Sequence, residues 1–278
     1  MIDNLDYFSA LVRQDDSIPL FEAALTIAQD ADPHLDLAAS QAELDILAAR
    51  LMRRLPSDAS MIQKLRMLNH YFYEELGFAG NVNDYYAADN SYLDRVISTR
   101  RGIPISLAVI YMELAEQIGL DVRGISFPGH FLMKLSVQAG DIILDPFNGA
   151  SLSRDDLEHR LEPYLEQQHE VGELALAIFL QAAAPRDILV RMLRNLKTLF
   201  QQRGQWKRLL GIQQRLVILL PDQFAEIRDR GLAFEQLDCP QAALNDIETY
   251  LAARPDAADG DELRARLPQL RALADRLN

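Results

Sequence analysis

The sequence predicts an α+β fold: a helical N-terminal layer, a core carrying a small antiparallel sheet, and an all-α tail of helical repeats. Three observations predict it. Apolar residues recur at helical spacing from Ser17 to about Leu76, three short β-rich segments divided by Gly, Pro and Asp occupy the middle, and from about Pro185 a helical pattern repeats every 34 residues. A chain of 278 residues with 49% hydrophobic composition has material for two domains. The expected division is 1–184 for the helical layer and core, and 185–278 for the repeats.

In the N-terminal layer, Leu44, Leu47, Ala48 and Leu51 share one helical stripe, and Ile62, Leu65, Leu68 and Phe72 form a second. The stretch "GFAGNVNDYYAADNSYLDRVISTRRG" begins as a loop, since Gly, Asn and Asp hold tight turns, and is expected to become helical from Tyr92. Asn90 reads as the N-cap of that helix, with Asp94 one place beyond capping-box spacing. Next, "RRGIPISLAVIYMELAEQIG" places Pro104 in the first turn of an apolar-rich helix that runs to Gly119.

The period then changes. "DVRGISF", "HFLMKLSV" and "DIILDPF" read as neighbouring strands, and "QAGD" turns between the last two. A register symmetric about that turn brings His130 and Asp145 near one another on adjacent antiparallel strands. Phe131, Met133 and Leu135 alternate as a core face, which assigns His130, Leu132 and Lys134 to the opposite one. "SLSRDDLEHRL" restarts a helix, with Ser153 and Asp156 at capping-box spacing.

In the tail, Pro221 and Pro255, Phe200 and Phe234, Leu210 and Leu244, and Leu193 and Ile227 are related by the 34-residue tetratricopeptide period. One unit supplies Leu193, Leu196, Phe200, Leu209, Leu216 and Pro221; the next supplies Ile227, Gly231, Phe234, Ala243, Tyr250 and Pro255. Lys197 stands where the second unit has the small Gly231. Two units leave an end face open, so "DELRARLPQLRALADRLN" is expected to cap them as a helix. Such repeats serve equally as architecture or as a partner groove.

A formal charge of −13 and a pI near 4.8 disfavour nucleic acid and anionic lipid as partners, and the basic clusters Arg53-Arg54 and Arg100-Arg101 are single pairs. One cysteine, Cys239, excludes an internal disulfide and a cysteine-based zinc site and suits a reducing compartment. The first residues carry no basic segment before an apolar run, and nowhere do 18 uncharged apolar residues follow one another, so a cytoplasmic protein is expected. There is no Walker loop and no Gly-x-Gly-x-x-Gly fingerprint, and the histidines at 34, 70, 130, 159 and 169 lack zinc-ligand spacing. Neither a cofactor nor a metal is expected.

Four ordered motifs, "GFAGNVNDYYAADNSYL", "RRGIPISL", "PGHFLMK" and "LDPFNG", resemble the bacterial SirB-one-type family, also called YchA-like, over about residues 17–255. That family joins a divergent transglutaminase-like domain to C-terminal tetratricopeptide repeats. The resemblance implies a cysteine-protease-like core in which Cys, His and Asp take three places, filled here by Pro104, His130 and Asp145. A cysteine at a helix N-terminus is activated by the helix dipole and a nearby imidazolium, while the Asp orients the His that moves the proton.

Proline offers no nucleophile, no amide proton and no acid, and its reading as a first-turn residue outweighs any chemical role. Ser106 is the alternative nucleophile, yet two residues along a helix turn a side chain by about 200°; capping or a buried backbone hydrogen bond is the favoured reading for it. His130 is either a retained histidine satisfied by Asp145 or a carbonyl, or part of a working site, and Asp145 before Pro146 also suits a turn. Should the tyrosine-bearing loop pack over the His130 cleft, Tyr85, Tyr86, Asn90, Tyr92 and His130 make the candidate binding set. Cys239, near the inter-helix turn of the second repeat, reads as an incidental thiol.

The resulting expectation is a non-catalytic protein that binds protein or peptide partners, with a regulatory role implied by the resemblance. The alternative is a hydrolase or acyltransferase using Ser106 with His130 and Asp145, and a third reading is a structural subunit of a larger assembly.

Overall fold

Helical apolar spacing and capping side chains set the N-terminal layer. The computed structural model describes residues 4–164 and 173–277, so His169 lies outside the described residues. Its first helices are α1 (Asn4–Leu11) and α2 (Leu20–Leu25). Helix α3 (Leu37–Met52) starts at Asp36, whose carboxylate accepts the Ala39 N–H at 3.0 Å, and it buries Leu44, Leu47, Ala48 and Leu51. Helix α4 (Met61–Asn69) starts with a capping box between Ser60 and Gln63 and buries Leu65 and Leu68.

The end of α4 widens into a π-helical turn, His70–Glu75, in which the Leu76 N–H reaches back to the Tyr71 carbonyl at 2.8 Å. There Phe72 is fully buried and stacks on Phe78 at 4.3 Å, while the Tyr73 hydroxyl donates to the Pro146 carbonyl at 3.1 Å. Beyond it, β1 (Ala79–Gly80) pairs in parallel with β2 (Arg101–Gly102), a bridge too short for alternation to signal. Between them lies α5 (Leu93–Thr99).

Helix α6 (Pro104–Gln117) is apolar nearly all round, with Leu107, Ala108, Val109, Ile110, Tyr111 and Leu114 almost wholly buried. Such a helix must be covered on every side. Helices α2, α3, α4 and α5 pack around it, and an antiparallel sheet closes the remaining side. The sheet runs β3 (Val122–Ile125), β4 (Leu132–Val137), β5 (Gly140–Leu144) and β6 (Ser151–Leu152) in sequential order. Val137 pairs with Gly140 and Met133 with Leu144, so the register is centred on the two-residue turn Gln138-Ala139, one residue before the middle of "QAGD".

One expectation for β4 fails. Alternation puts Leu132 on the face away from the core, yet it is fully buried, as are Met133 and Leu135 on the opposite face. The reason is a second cover: α7 (Arg154–Leu161) lays Leu157 and Leu161 against Ile125, Phe127, Leu132 and Ile143. Burial of a leucine on that scale stabilises by about 1.5–3 kcal/mol. Helix α7 begins with the reciprocal Ser153–Asp156 box, at 2.8 and 3.2 Å.

Helix α8 (Glu173–Phe179) precedes α9 (Pro185–Gln202). The chain separates into two compact units, Asp15–Met192 and the described parts of Met1–Gln14 with Leu193–Asn278. The division falls within α9 rather than at its first residue, because Ile188 packs at Gly124 and Arg191 binds carbonyls of the first unit. Helix α1 joins the repeats, where Phe8 is fully buried with the Arg215 guanidinium 5.5 Å from its ring centroid.

In that second unit α10 (Trp206–Leu219), α11 (Phe224–Gln236) and α12 (Pro240–Ala253) continue the hairpins, and α13 (Gly260–Leu277) caps them as one helix through Pro268. Gly231 permits a close crossing, since a Cβ there would lie 3.0 Å from Asp246 and 3.2 Å from Ile247. The equivalent Lys197 instead places its ammonium 2.6 Å from both Glu226 and Asp229, and Arg194 joins Glu226 at 3.1 Å. A charged network therefore takes the place of a backbone contact. No helix among the described residues is long and apolar enough to cross a membrane.

Candidate functional site

His130 precedes β4 rather than lying within it, in a turn where its N–H donates to the Phe127 carbonyl at 3.2 Å. Gly129 takes φ +66°, a left-handed conformation that glycine adopts without penalty, and the Tyr164 hydroxyl lies against its open side. Asp145 follows β5 directly, where the antiparallel register continued by one step sets it across from Leu132, and His130 reaches it from two residues before Leu132. His130 Nε2 donates to Asp145 Oδ1 at 2.9 Å.

Asp145 is a carboxylate with both oxygens engaged. Its Oδ1 also accepts the Phe147 N–H at 3.0 Å, and Oδ2 accepts Arg160 Nη2 at 3.0 Å. Burial alone would raise its pKa, but the His130, Phe147 and Arg160 hydrogen bonds together hold it below the usual carboxylate range. An ionised acceptor at Nε2 fixes the proton of a neutral imidazole there, so Nδ1 carries the lone pair. Nδ1 has no partner among the described residues, and the side chain is about a quarter exposed, at 25%. In that tautomer the pair leaves one ring nitrogen as an acceptor without a partner among the described residues.

The surroundings are aromatic. Tyr85 lies 6.4 Å from Phe147 and 5.3 Å from Tyr86, ring to ring. Partial burial raises the Tyr85 phenol, with Tyr86 and the Asp145 charge adding to the effect. Tyr73 supports the Asp145 turn from below, and burial drives its phenol well above the ordinary range. Arg191 holds the His130 turn by donating to the carbonyls of Phe127 at 3.1 Å and His130 at 2.9 Å.

The structure divides the candidate residues. His130, Asp145 and Tyr85 share one region, with Tyr86 beside them on the open side at 75% exposure. Asn90 and Tyr92 are buried at 3% and 2%. Asn90 does not cap α5; that place belongs to Tyr92, which makes no side-chain cap. Instead Asn90 Oδ1 accepts from Asn81, and its Nδ2 donates to the carbonyls of Asp84 and Tyr85. Its amide closes the loop from within, a use that capping patterns do not signal.

Pro104 occupies the first position of α6 after extended Ile103, and it is buried. Ser106 is fully buried: its Oγ donates to the Asn90 carbonyl at 2.5 Å, lies 3.0 Å from the Ile103 carbonyl, and accepts the Ile103 N–H at 3.2 Å. Cys239 is exposed at the turn before α12. Arg160, Arg191, Phe147 and Tyr164 escaped sequence reading because each comes from a separate element, and none stands in a motif that marks it.

The chain that opens a buried helix with Pro104 and joins His130 to Asp145 belongs to the transglutaminase-like superfamily, whose model matches residues 38–194. A tetratricopeptide-repeat model matches residues 196–268. Within the superfamily the chain is a member of the UPF0162 family. A UPF0162 protein of Xylella fastidiosa is 40% identical over 262 residues, covering 92% of this chain and 91% of its own. UPF0162 protein YchA of Escherichia coli is 27% identical over 226 residues, covering 81% and 82%. Protein SirB1 of Salmonella typhimurium is 28% identical over 227 residues, also covering 81% and 82%. No solved structure gives a significant match.

Proposed function

We propose that this protein is a non-catalytic member of its superfamily that binds protein or peptide partners, with a regulatory role in the cytoplasm. The observation that carries the reading is at the start of α6. Pro104 provides no attacking atom, and the nearby hydroxyl of Ser106 is buried and engaged with the Asn90 and Ile103 backbone. Activation of a serine needs its hydroxyl on the imidazole at about 2.6–3.2 Å. The His130–Asp145 pair then remains as a polar anchor beside the aromatic rings of Tyr85 and Tyr86. The tetratricopeptide repeats, a common protein-binding architecture, support the same reading.

Two measurements test it together. A fluorophosphonate probe is expected not to label the wild-type chain, and labelling that disappears in Ser106→Ala would restore the hydrolase reading. Proteins recovered from cells on the full chain are expected to be lost with His130→Ala; unchanged recovery would remove the cleft from the binding role.

A further inference from the structure

The two guanidinium groups at the His130 site are used differently. Arg160 meets a carboxylate, Asp145. Arg191 meets none: its partners among the described residues are the carbonyl oxygens of Phe127 and His130 and the face of Phe131, whose centroid is 5.6 Å away. Carbonyl dipoles orient a guanidinium without neutralising it, and among the described residues two of its five N–H donors are engaged. Burial disfavours the charged form of Arg191, and the Tyr85 and Tyr164 phenols, neutral near pH 7, oppose that only where they ionise. Both tyrosines reach solvent, at 42% and 53% exposure. In a chain of net charge −13, Arg160 and Asp145 pair with one another, and Arg191 meets no carboxylate among the described residues.

We propose that Arg191 is a carboxylate-binding residue, which anchors an acidic side chain or the C-terminal carboxylate of a peptide partner between Tyr85 and Tyr164. The inference rests on the peptide-binding reading of the same cleft. The planar fork of the guanidinium matches a carboxylate, two phenol hydroxyls supply further donors, and the rings line the peptide's path. His130 Nδ1, as an acceptor, takes a peptide N–H next to that carboxylate.

The test uses the full chain and short peptide probes, followed through the Arg191 Nε–H and His130 ring signals by NMR. Acetyl-Gly-Phe with a free carboxylate and acetyl-Glu-Phe-amide separate the two sources, with acetyl-Gly-Phe-amide as the uncharged control. At least one carboxylate probe is expected to shift both signals saturably and to bind about tenfold or more tightly than the amide control, with affinity falling as salt rises. Arg191→Gln is expected to abolish the difference between carboxylate and amide, and Arg191→Lys to restore part of it.

Because Arg191 also holds the His130 turn, Tyr164→Phe provides a second variant that leaves that turn bonded, and it is expected to weaken only the carboxylate probes. Equal binding of carboxylate and amide would overturn the proposal, as would inorganic phosphate binding more tightly than either carboxylate. Partner recovery that depends on His130 but not on Arg191 would overturn this inference while leaving the binding reading intact. Recovery indifferent to both residues would overturn both.

Discussion

The Ser106 hydroxyl and the Asn90 carbonyl oxygen stand 2.5 Å apart, joining the start of α6 to the end of the tyrosine-bearing loop. Asn90 in turn binds Asn81, Asp84 and Tyr85, so one hydroxyl and one amide set the loop against the helix. Ser106→Ala leaves the buried Ile103 N–H and Asn90 carbonyl with their own long mutual bond at 3.4 Å in place of the hydroxyl. A loss of about 1–3 kcal/mol is expected from urea unfolding, and Asn90→Ala is expected to be non-additive with it, because the two residues act on one contact.

Asp145 ties stability to pH. Its folded pKa is lowered, so its contribution is complete above the unfolded value of about 3.9 and declines as pH falls through the depressed folded value. Asp145→Asn removes that titration. Unfolding measured at a series of acid pH values is expected to show the wild type losing stability more steeply than the variant below about pH 4.

Lys197 shares with Arg194 the compensation of a buried carboxylate. Glu226 is only 4% exposed and depends on Lys197 and Arg194. Lys197→Ala is expected to cost about 2 kcal/mol or more in chemical denaturation. Arg271→Ala, which breaks the solvent-exposed pair with Glu248, is the control, expected to cost about 0–1 kcal/mol.

Gly129 admits no side chain without strain. At φ +66° an alanine costs about 1–2 kcal/mol, and its Cβ would meet the Tyr164 hydroxyl. Gly129→Ala is therefore expected to lower the melting temperature and, in the His130 ring signals, to displace the imidazole from Asp145.

Much of the fold was legible because it rests on local pattern. The stripe of Leu44, Leu47, Ala48 and Leu51, the Ser153–Asp156 box and the existence of a turn at "QAGD" each declare themselves within a few residues, although the turn's centre falls at Gln138-Ala139. What escaped depends on neighbours remote in sequence. Leu132 is buried because α7 covers the second face of the sheet, and α1 belongs with the repeats because Phe8 meets Arg215. The site follows the same rule: the turn brings His130 to Asp145, whereas Arg160 and Arg191 arrive from two later helices. Asn90 was misread as a cap because the same amide serves an N-terminus or a loop, and only the surrounding carbonyls decide which.

The wide turn at His70–Glu75 accommodates one more residue per coil than its flanks, and the phase of everything after it depends on that surplus. Deleting a single residue there would restore ordinary winding and rotate Phe72 and Tyr73 by roughly 100°. The ring stacked on Phe78 and the phenol under Pro146 would both lose their places. A shortening that looks trivial when two chains are aligned would thus remove the floor on which Asp145 is held.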